Sequence, residues 1–319
     1  MDRRVSIIVT CFEQARWIVE CLDGVRTQTH TDWELIIVDD QSTDDTVAVV
    51  RGWLGAGREI DARLVVNPRN LGLTPTLNLA LTHCTGTFVA YCGGDDVWHA
   101  DLLAKGLAAF DVAAPSTAFV YADARLVDDV GAELAPSHLR SIGVADAPVG
   151  DVFDRLIRRN FVIPSGVLYR RTAIEEVGGW DPDLFFEDWD LLLRLAERYP
   201  VGAVDEPLVD YRVHADSMGR RRASPMVESR LRLLSKWVGR DDAIDAHLYA
   251  YLQEQSWRLF KVHPTLAREH VVLAYARRTG PIGKLRRLIA RWTVAERAFE
   301  CLRRITRPFR RTGPRPRSA

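Results

Sequence analysis

Over the first hundred residues, short apolar runs alternate with segments whose apolar positions recur at helical spacing. Val5–Val9 is a β-branched run that predicts a strand, and Trp17, Ile18, Cys21, Leu22 and Val25 then fall on one face of a helix. Leu35–Val38 predicts a second strand, closed by Asp39 and Asp40. In "QSTDDTVAVVRGWL" Val47, Val50 and Leu54 share a helical face, with Ser42 or Thr43 as the N-cap. Leu64–Val66 is a third short strand. "LTPTLNLAL" opens a helix capped by Thr74, with Pro75 in the first turn, where its missing N–H costs little. Thr87–Cys92 is the fourth strand.

Strands alternating with helices predict an α/β fold, a mostly parallel central sheet flanked by helices. Ligands of such sheets bind outside the carboxyl ends of the strands. Asp39, Asp40, Asp95 and Asp96 all follow strand ends, so the fold brings them to one edge although they are distant in sequence. Farther on, Ala118–Tyr121 predicts a strand and "DDVGAEL" a turn. "NFVIPSGVLYRR" predicts a loop feeding a strand, followed by a short helix closed by Gly178 and Gly179. "FFEDWDLLLRLAERY" predicts a helix with Leu191, Leu192 and Leu195 inward, and the chain after Met218 reads as helical.

Composition adds one asymmetry. The 319 residues carry 43 basic and 43 acidic side chains, yet the segment from Gly283 to Ala319 holds twelve Lys/Arg against two Glu. The body is acidic and the tail basic. The five cysteines (Cys11, Cys21, Cys84, Cys92, Cys301) never form a C-x-x-C pair and are expected as free thiols. No run approaches the roughly 18 apolar residues of a membrane span, and the opening "MDRRVSIIVTC" reads as a first strand, so a cytoplasmic protein is expected.

Four stretches carry candidate chemistry, each with a plain structural alternative. "VDDQSTDDT" is either a polar strand-to-helix turn or part of a binding edge. "GGDDVW" places two mutually repelling carboxylates after a buried strand, the donors that Mg²⁺ or Mn²⁺ share with substrate phosphates. The acids of "FFEDWD" suit either the dipole of a helix start or a general base. His214 in "YRVHADSMG" is either structural or a ligand.

In order and at plausible spacing, "VSIIVTCFEQARWIVECLDGVRTQTHTDWELIIVDDQSTDDT", "NPRNLGLTPTLNLAL", "GTFVAYCGGDDVW", "VLYRRTAIEEVGGWDPDLFFEDWDLLLRL" and "YRVHADS" resemble the inverting family 2 glycosyltransferases over about residues 4–216. The resemblance implies a Rossmann-like A-type glycosyltransferase fold and transfer of a sugar from a UDP- or dTDP-sugar to an acceptor hydroxyl, with Mn²⁺ or Mg²⁺ assisting. It implies nucleotide contacts at Thr10, Cys11, Phe12, Glu13, Asp39 or Asp40, Asn70, Gly72, Thr74 and Asp95. It also implies a metal site of Asp95, Asp96 and His214 and a catalytic base at Asp188, beside Glu187. Trp98, Trp180 and Trp189 are candidates for the sugar or acceptor pocket. The chain departs from the pattern at Gly93, where the first acid of a D-x-D element is often found, and at Glu13 and Thr10.

The expected organisation is a catalytic region over 1–220 (a nucleotide-binding half at 1–100, an acceptor half at 101–220), a helical region over 221–306 and a basic, disordered tail over 307–319. Within 285–309, Leu285, Leu288, Ile289, Trp292, Ala295, Phe299, Leu302 and Ile305 lie near a helical period, with arginines on the other face. Such a helix suits an anionic membrane surface, hence the inner face of the cell membrane and a glycan or lipid-linked acceptor of the cell envelope. No nucleic-acid recognition motif accompanies the basic residues, so nucleic acid is not an expected partner. Two alternatives remain in view. A nucleotidyltransferase is disfavoured by the absence of glycine in "VTCFEQAR", and a non-catalytic scaffold of the same fold is favoured only by Gly93.

Overall fold

The computed structural model describes residues 3–56, 60–185, 187–215, 217, 223–262, 267 and 270. The chain divides into two compact units, residues 1–233 and 234–319. The first opens with β1 (Val5–Cys11), α1 (Ile18–Arg26), β2 (Trp33–Asp39), α2 (Thr46–Gly55), β3 (Ala62–Val66), α3 (Leu73–Leu81) and β4 (Phe88–Gly93), the alternation that the apolar pattern predicts. Every residue of β1 is buried, as are all of β2 after Trp33, which is what strands covered on both faces require.

After β5 (Val97–Trp98) and α4 (Leu102–Val112) come β6 (Phe119–Val127), β7 (Glu133–Ala135), α5 (His138–Ser141) and α6 (Phe153–Arg158). A 3-10 turn, Pro164–Gly166, then leads into β8 (Val167–Arg170), α7 (Arg171–Glu176), α8 (Glu187–Ala196), β9 (Val201–Arg212) and α9 (Ala223–Ser235). One nine-stranded sheet runs β3-β2-β1-β4-β8-β6-β9-β5, with β7 paired to β6. The fold is the expected α/β sheet flanked by helices. Its first four long strands are parallel, whereas β8 runs antiparallel to both β4 and β6. Chain order reverses at β1, with β2 and β3 on one side and β4 on the other. That switch point leaves a crevice at the carboxyl edge.

Two details depart from the sequence reading. Neither Ser42 nor Thr43 caps α2 and Thr74 does not cap α3; Asp45 and Gly72 occupy those positions, without a side-chain cap bond. The hydroxyls bond elsewhere: Ser42 Oγ donates to Asp39 within its own turn, while Thr43 Oγ1 donates to Glu13 and Thr74 Oγ1 to the Pro182 carbonyl. The second departure is β9, which the apolar pattern does not predict because Asp205, Glu206, Pro207 and Asp210 interrupt it. It forms through tertiary pairing, parallel to β6 and antiparallel to β5, and register shifts on either side of Asp123 accommodate Pro207 opposite.

The second unit contains α10 (Asp242–Val262), which buries Ile244, Leu248, Leu252 and Leu259 and stacks Trp257 on Phe260 with ring centroids 5.4 Å apart. The basic stretch 285–309 and the tail 307–319 lie outside the described residues. No described helix is long and apolar enough to cross a membrane. Cys11, Cys21, Cys84 and Cys92 are free thiols, as expected, and all four are buried.

Candidate active site

A cavity of about 510 Å³ opens at the carboxyl edge of the first unit. Strand register explains its position: Cys11 pairs with Asp39 and Thr10 with Gly93, so β1, β2 and β4 end together. Thr10, Cys11, Phe12, Glu13, Asp40, Asn70, Gly72, Thr74, Asp95, Asp96 and His214 line it, bringing together most of the residues singled out from sequence. Phe12 is 41% exposed there, so its ring is open to solvent at the cavity.

The two acids that end β2 have different surroundings. Asp39 is fully buried and closes its own turn, Oδ1 accepting from Ser42 N at 2.8 Å and Oδ2 from Ser42 Oγ at 2.5 Å and the Cys11 thiol at 3.6 Å. It does not line the cavity, so the expectation of a nucleotide contact passes wholly to Asp40. Asp40 Oδ1 accepts from Asn67 Nδ2 and Leu71 N, each at 2.8 Å, and Oδ2 accepts from Gly72 N at 2.8 Å. A carboxylate oxygen takes two such bonds, so Oδ2 retains capacity for a ligand N–H. Gly72 presents that N–H from φ +87°, a conformation suited to glycine, as α3 begins.

Glu13 and Gln41 also hold positive φ, 55° and 63°, without being glycine. Their side chains stabilise these conformations. Glu13 Oε1 accepts from both Thr43 N and Thr43 Oγ1 at 2.8 Å, and Gln41 Oε1 accepts from Asn70 N at 2.9 Å. The loops after β1, β2 and β3 are thereby joined to one another around the cavity mouth, a common setting for stored backbone strain.

On the opposite wall, Asp95 and Asp96 diverge. Asp95 Oδ2 lies 2.9 Å from His214 Nε2, and His214, buried with its ring 4.3 Å from that of Trp17, has no partner for Nδ1 among the described residues. Asp96 is buried, with Oδ2 accepting from Ser165 Oγ and Oδ1 from Arg212 N at 2.9 Å. Burial, then the charge of Asp95, pushes the Asp96 carboxyl well above the usual range. Asp96 is thus tied into the turn that presents Asp95, while it lines the cavity and each of its oxygens, accepting one bond, keeps a lone pair for the metal expected from sequence. At Gly93 an added Cβ would lie 2.9 Å from Asp95 Oδ1. The Asp95 carboxylate thus leans over the position where a further acid is often found.

Residues 6–178, more than half of the chain, match the family described as Glycosyl transferase family 2. The chain belongs to glycosyl transferase family 2. An uncharacterized protein of Mycobacterium tuberculosis is 29% identical over 218 residues, 66% of this chain and 59% of its own length, so the chain spans less than two thirds of that relative. The uncharacterized glycosyltransferase YwdF of Bacillus subtilis is 26% identical over 208 residues, 63% of this chain and 71% of its own length. Among solved structures, S. aureus TarS 1–349 in complex with UDP-GlcNAc is similar with a TM-score of 0.65 at 16% identity, covering 93% of this chain and 92% of that one. Mannosyltransferase PcManGT from Pyrobaculum calidifontis, in complex with GDP-Man and Mn²⁺, has a TM-score of 0.60 at 21% identity, covering 93% of this chain and 83% of that one. At these identities the structural likeness establishes the fold, the A-type glycosyltransferase arrangement.

In this family 2 chain the acids of "FFEDWD" separate by environment. Glu187 is the first residue of α8, and its side chain lies outside the described ones. Asp188 accepts from Asn160 Nδ2 at 3.0 Å, and burial of its carboxyl raises the pKa against the opposing pull of the Trp189 N–H and Asn160. Asp190 is fully buried against Arg194 at 2.7 Å, and Arg194 also binds the carbonyls of Val177 and Gly179. That pair ties α8 to the turn that closes α7, so Asp190 is engaged in holding the fold. Asp188 does not itself line the cavity; Phe185, three residues earlier, does.

The three tryptophans do not form a pocket. Trp98, Trp180 and Trp189 are buried, none lines the cavity, and the indoles of Trp98 and Trp189 donate to the Ser165 and Leu156 carbonyls at 2.6 and 2.8 Å. All three are core residues, and the indole N–H groups of Trp98 and Trp189 are satisfied there. Trp98→Ala is expected to destabilise the chain by about 3–5 kcal/mol in urea unfolding, the cost of deleting a large core side chain. Unchanged stability in that measurement would contradict the core assignment. Trp17, Tyr91, Ser165 and Arg212 line the cavity and were not assigned to it from sequence. Nothing in the local pattern distinguishes them, because their positions depend on strand order.

Proposed function

We propose that this chain transfers a sugar, with inversion, from a nucleotide-diphospho-sugar to an acceptor hydroxyl, with Asp188 as the base. The observation that carries this reading is the Asp95–His214 pair at the carboxyl edge of an acidic cavity. Glu13, Asp40, Asp95, Asp96 and Asp183 line that cavity against Arg212 and His214, so a diphosphate entering it needs additional positive charge. One carboxylate and one imidazole suit Mn²⁺ or Mg²⁺ when phosphate oxygens complete the coordination. Among the described residues no group of three or more His, Cys, Asp or Glu side chains is placed to hold a metal. Metal and donor are accordingly expected to bind together. Bound there, the cation would neutralise charge that develops on the departing diphosphate.

The chain's own groups have separable tasks. Phe12 offers a face for the base, and Asp40 Oδ2 accepts a base N–H, the arrangement that favours a uracil- or thymine-like ring and hence a UDP- or dTDP-sugar. Asn70, Gly72 and Thr74 border the ribose and diphosphate, where the first turn of α3 presents backbone N–H groups. Asp188 removes the proton of the acceptor hydroxyl as that oxygen attacks the anomeric carbon opposite the leaving nucleoside diphosphate. TarS binds UDP-GlcNAc and PcManGT binds GDP-Man with Mn²⁺, which supports the donor class. A glycan or lipid-linked glycan of the cell envelope is the proposed acceptor, reached at a membrane surface through the basic stretch 285–309.

Thermal unfolding with UDP, Mn²⁺ and both together tests the reading. A ligand at 100 times its Kd adds about 2.7 kcal/mol to the state that binds it. The pair of ligands is expected to stabilise more than the sum of each alone. No stabilisation by any combination would favour the non-catalytic scaffold, the reading that Gly93 supports.

A further inference from the structure

We infer that Arg212 is the positioning residue that holds Asp95 and His214 in register for the divalent cation; the inference rests on the reading of that pair proposed above. Arg212 ends β9 and is only 4% exposed, an unusual burial for an arginine unless its donors are all engaged. Its Nε donates to the Asp95 carbonyl at 2.8 Å, and its backbone N–H donates to Asp96 Oδ1 at 2.9 Å. One residue thereby holds the main chain of the first acid and the side chain of the second. Two positions on, His214 meets the carboxylate of the same Asp95. Three contacts from a three-residue stretch, Arg212 to His214, therefore set where the Asp95 oxygens point.

The other end of the guanidinium anchors this grip to the cavity rim. Nη1 donates to the Asp128 and Asp129 carbonyls at 3.2 and 3.3 Å, and Nη2 pairs with Glu20 of α1 at 2.7 Å. Trp17 Nε1 donates to the same Asp129 carbonyl at 3.0 Å, and its ring packs on His214. The turn after β6 is thus held by Arg212 and by Trp17, and His214 is fixed on one side by Trp17 and on another by Asp95. A planar fork of five N–H donors reaches the Asp95 carbonyl, the turn and Glu20 at once, which a lysine ammonium on a flexible stem cannot do.

Mn²⁺ binding in the presence of UDP, followed by the EPR signal of free Mn²⁺, tests this on the full chain, alongside UDP binding without metal and thermal unfolding. Arg212→Lys and Arg212→Gln are expected to weaken Mn²⁺ binding about tenfold or more, as loss of residues supporting metal ligands does, while metal-free UDP binding stays within about twofold. Glu20→Ala removes an anchor whose side chain is 61% exposed, so the fold is retained, and a smaller loss of Mn²⁺ affinity, about threefold, is expected. Unchanged Mn²⁺ affinity in a folded Arg212 variant overturns the inference, as does an equal loss of metal-free UDP binding, which marks a general structural role. If the Arg212 variants do not fold, Glu20→Ala decides, and unchanged Mn²⁺ affinity there overturns it. Absence of Mn²⁺ binding by the unaltered chain overturns the metal reading itself and the role of Arg212 with it.

Discussion

Asp188→Asn is expected to lower glycosyl transfer by about 10²–10⁴-fold, the range that a positioned general base supplies. Asparagine keeps the shape of the residue and removes its capacity to take a proton. Binding of UDP with Mn²⁺ should therefore be unchanged, because the proposed donor site is built from the loops after β1 to β4 and from His214. The pH dependence follows from the raised pKa of Asp188. Below that value the carboxyl holds its proton and is no base, so the rate rises with pH through it, and this limb disappears in the asparagine variant. Stability runs the other way. A carboxyl with a pKa higher folded than unfolded favours the folded state at low pH, and that contribution is lost as pH rises through the folded value. Transfer by Asp188→Asn at the unaltered rate would remove Asp188 from the mechanism.

The second large effect is expected at the Asp95–His214 pair. Asp95→Asn and His214→Ala should each lower transfer on the order of 10³-fold, roughly 4 kcal/mol, the scale at which a metal ion stabilises charge on a leaving phosphate. Stabilisation by UDP and Mn²⁺ together should fall to that of UDP alone in both variants. Combining the substitutions should cost little more than either one, since the two residues act as a unit. Additive losses would show that they work separately, against the proposed shared cation. Gly93 bears on the same point. Its missing side chain leaves room for Asp95 Oδ1, 2.9 Å from where a Cβ would stand, so the gap in the D-x-D element is filled by the acid that remains.

Much of the site was legible because a parallel sheet makes its ligand edge readable from strand ends. Asp40 and Asp95 could be placed at one edge without knowing how the loops run, since each follows a short apolar run. The less legible residues differ in a physical way. Asp39 and Asp40 are neighbours with the same chemistry, and only the turn decides that Asp39 is committed to Ser42 while Asp40 faces the cavity. Asp95 and Asp96 are likewise adjacent, and only the fold ties Asp96 to Ser165 and to the backbone of Arg212 while Asp95 meets His214. Trp98 and Trp189 carry no mark of burial in their neighbours along the chain, and their donors find carbonyls far away in sequence.

The sequence by itself determined the family, the alternation of strands and helices in the first hundred residues, and the edge at which chemistry gathers. Those follow from local periodicity and from residue types at strand ends, properties that a linear pattern carries. Tertiary structure alone decided that β9 forms, because its acids and proline conceal a strand that exists through pairing with β6 and β5. Through β9 it also decided that Arg212 and His214 reach Asp95 across more than a hundred residues. Such contacts depend on strand order and register, which a local pattern of apolar positions does not encode.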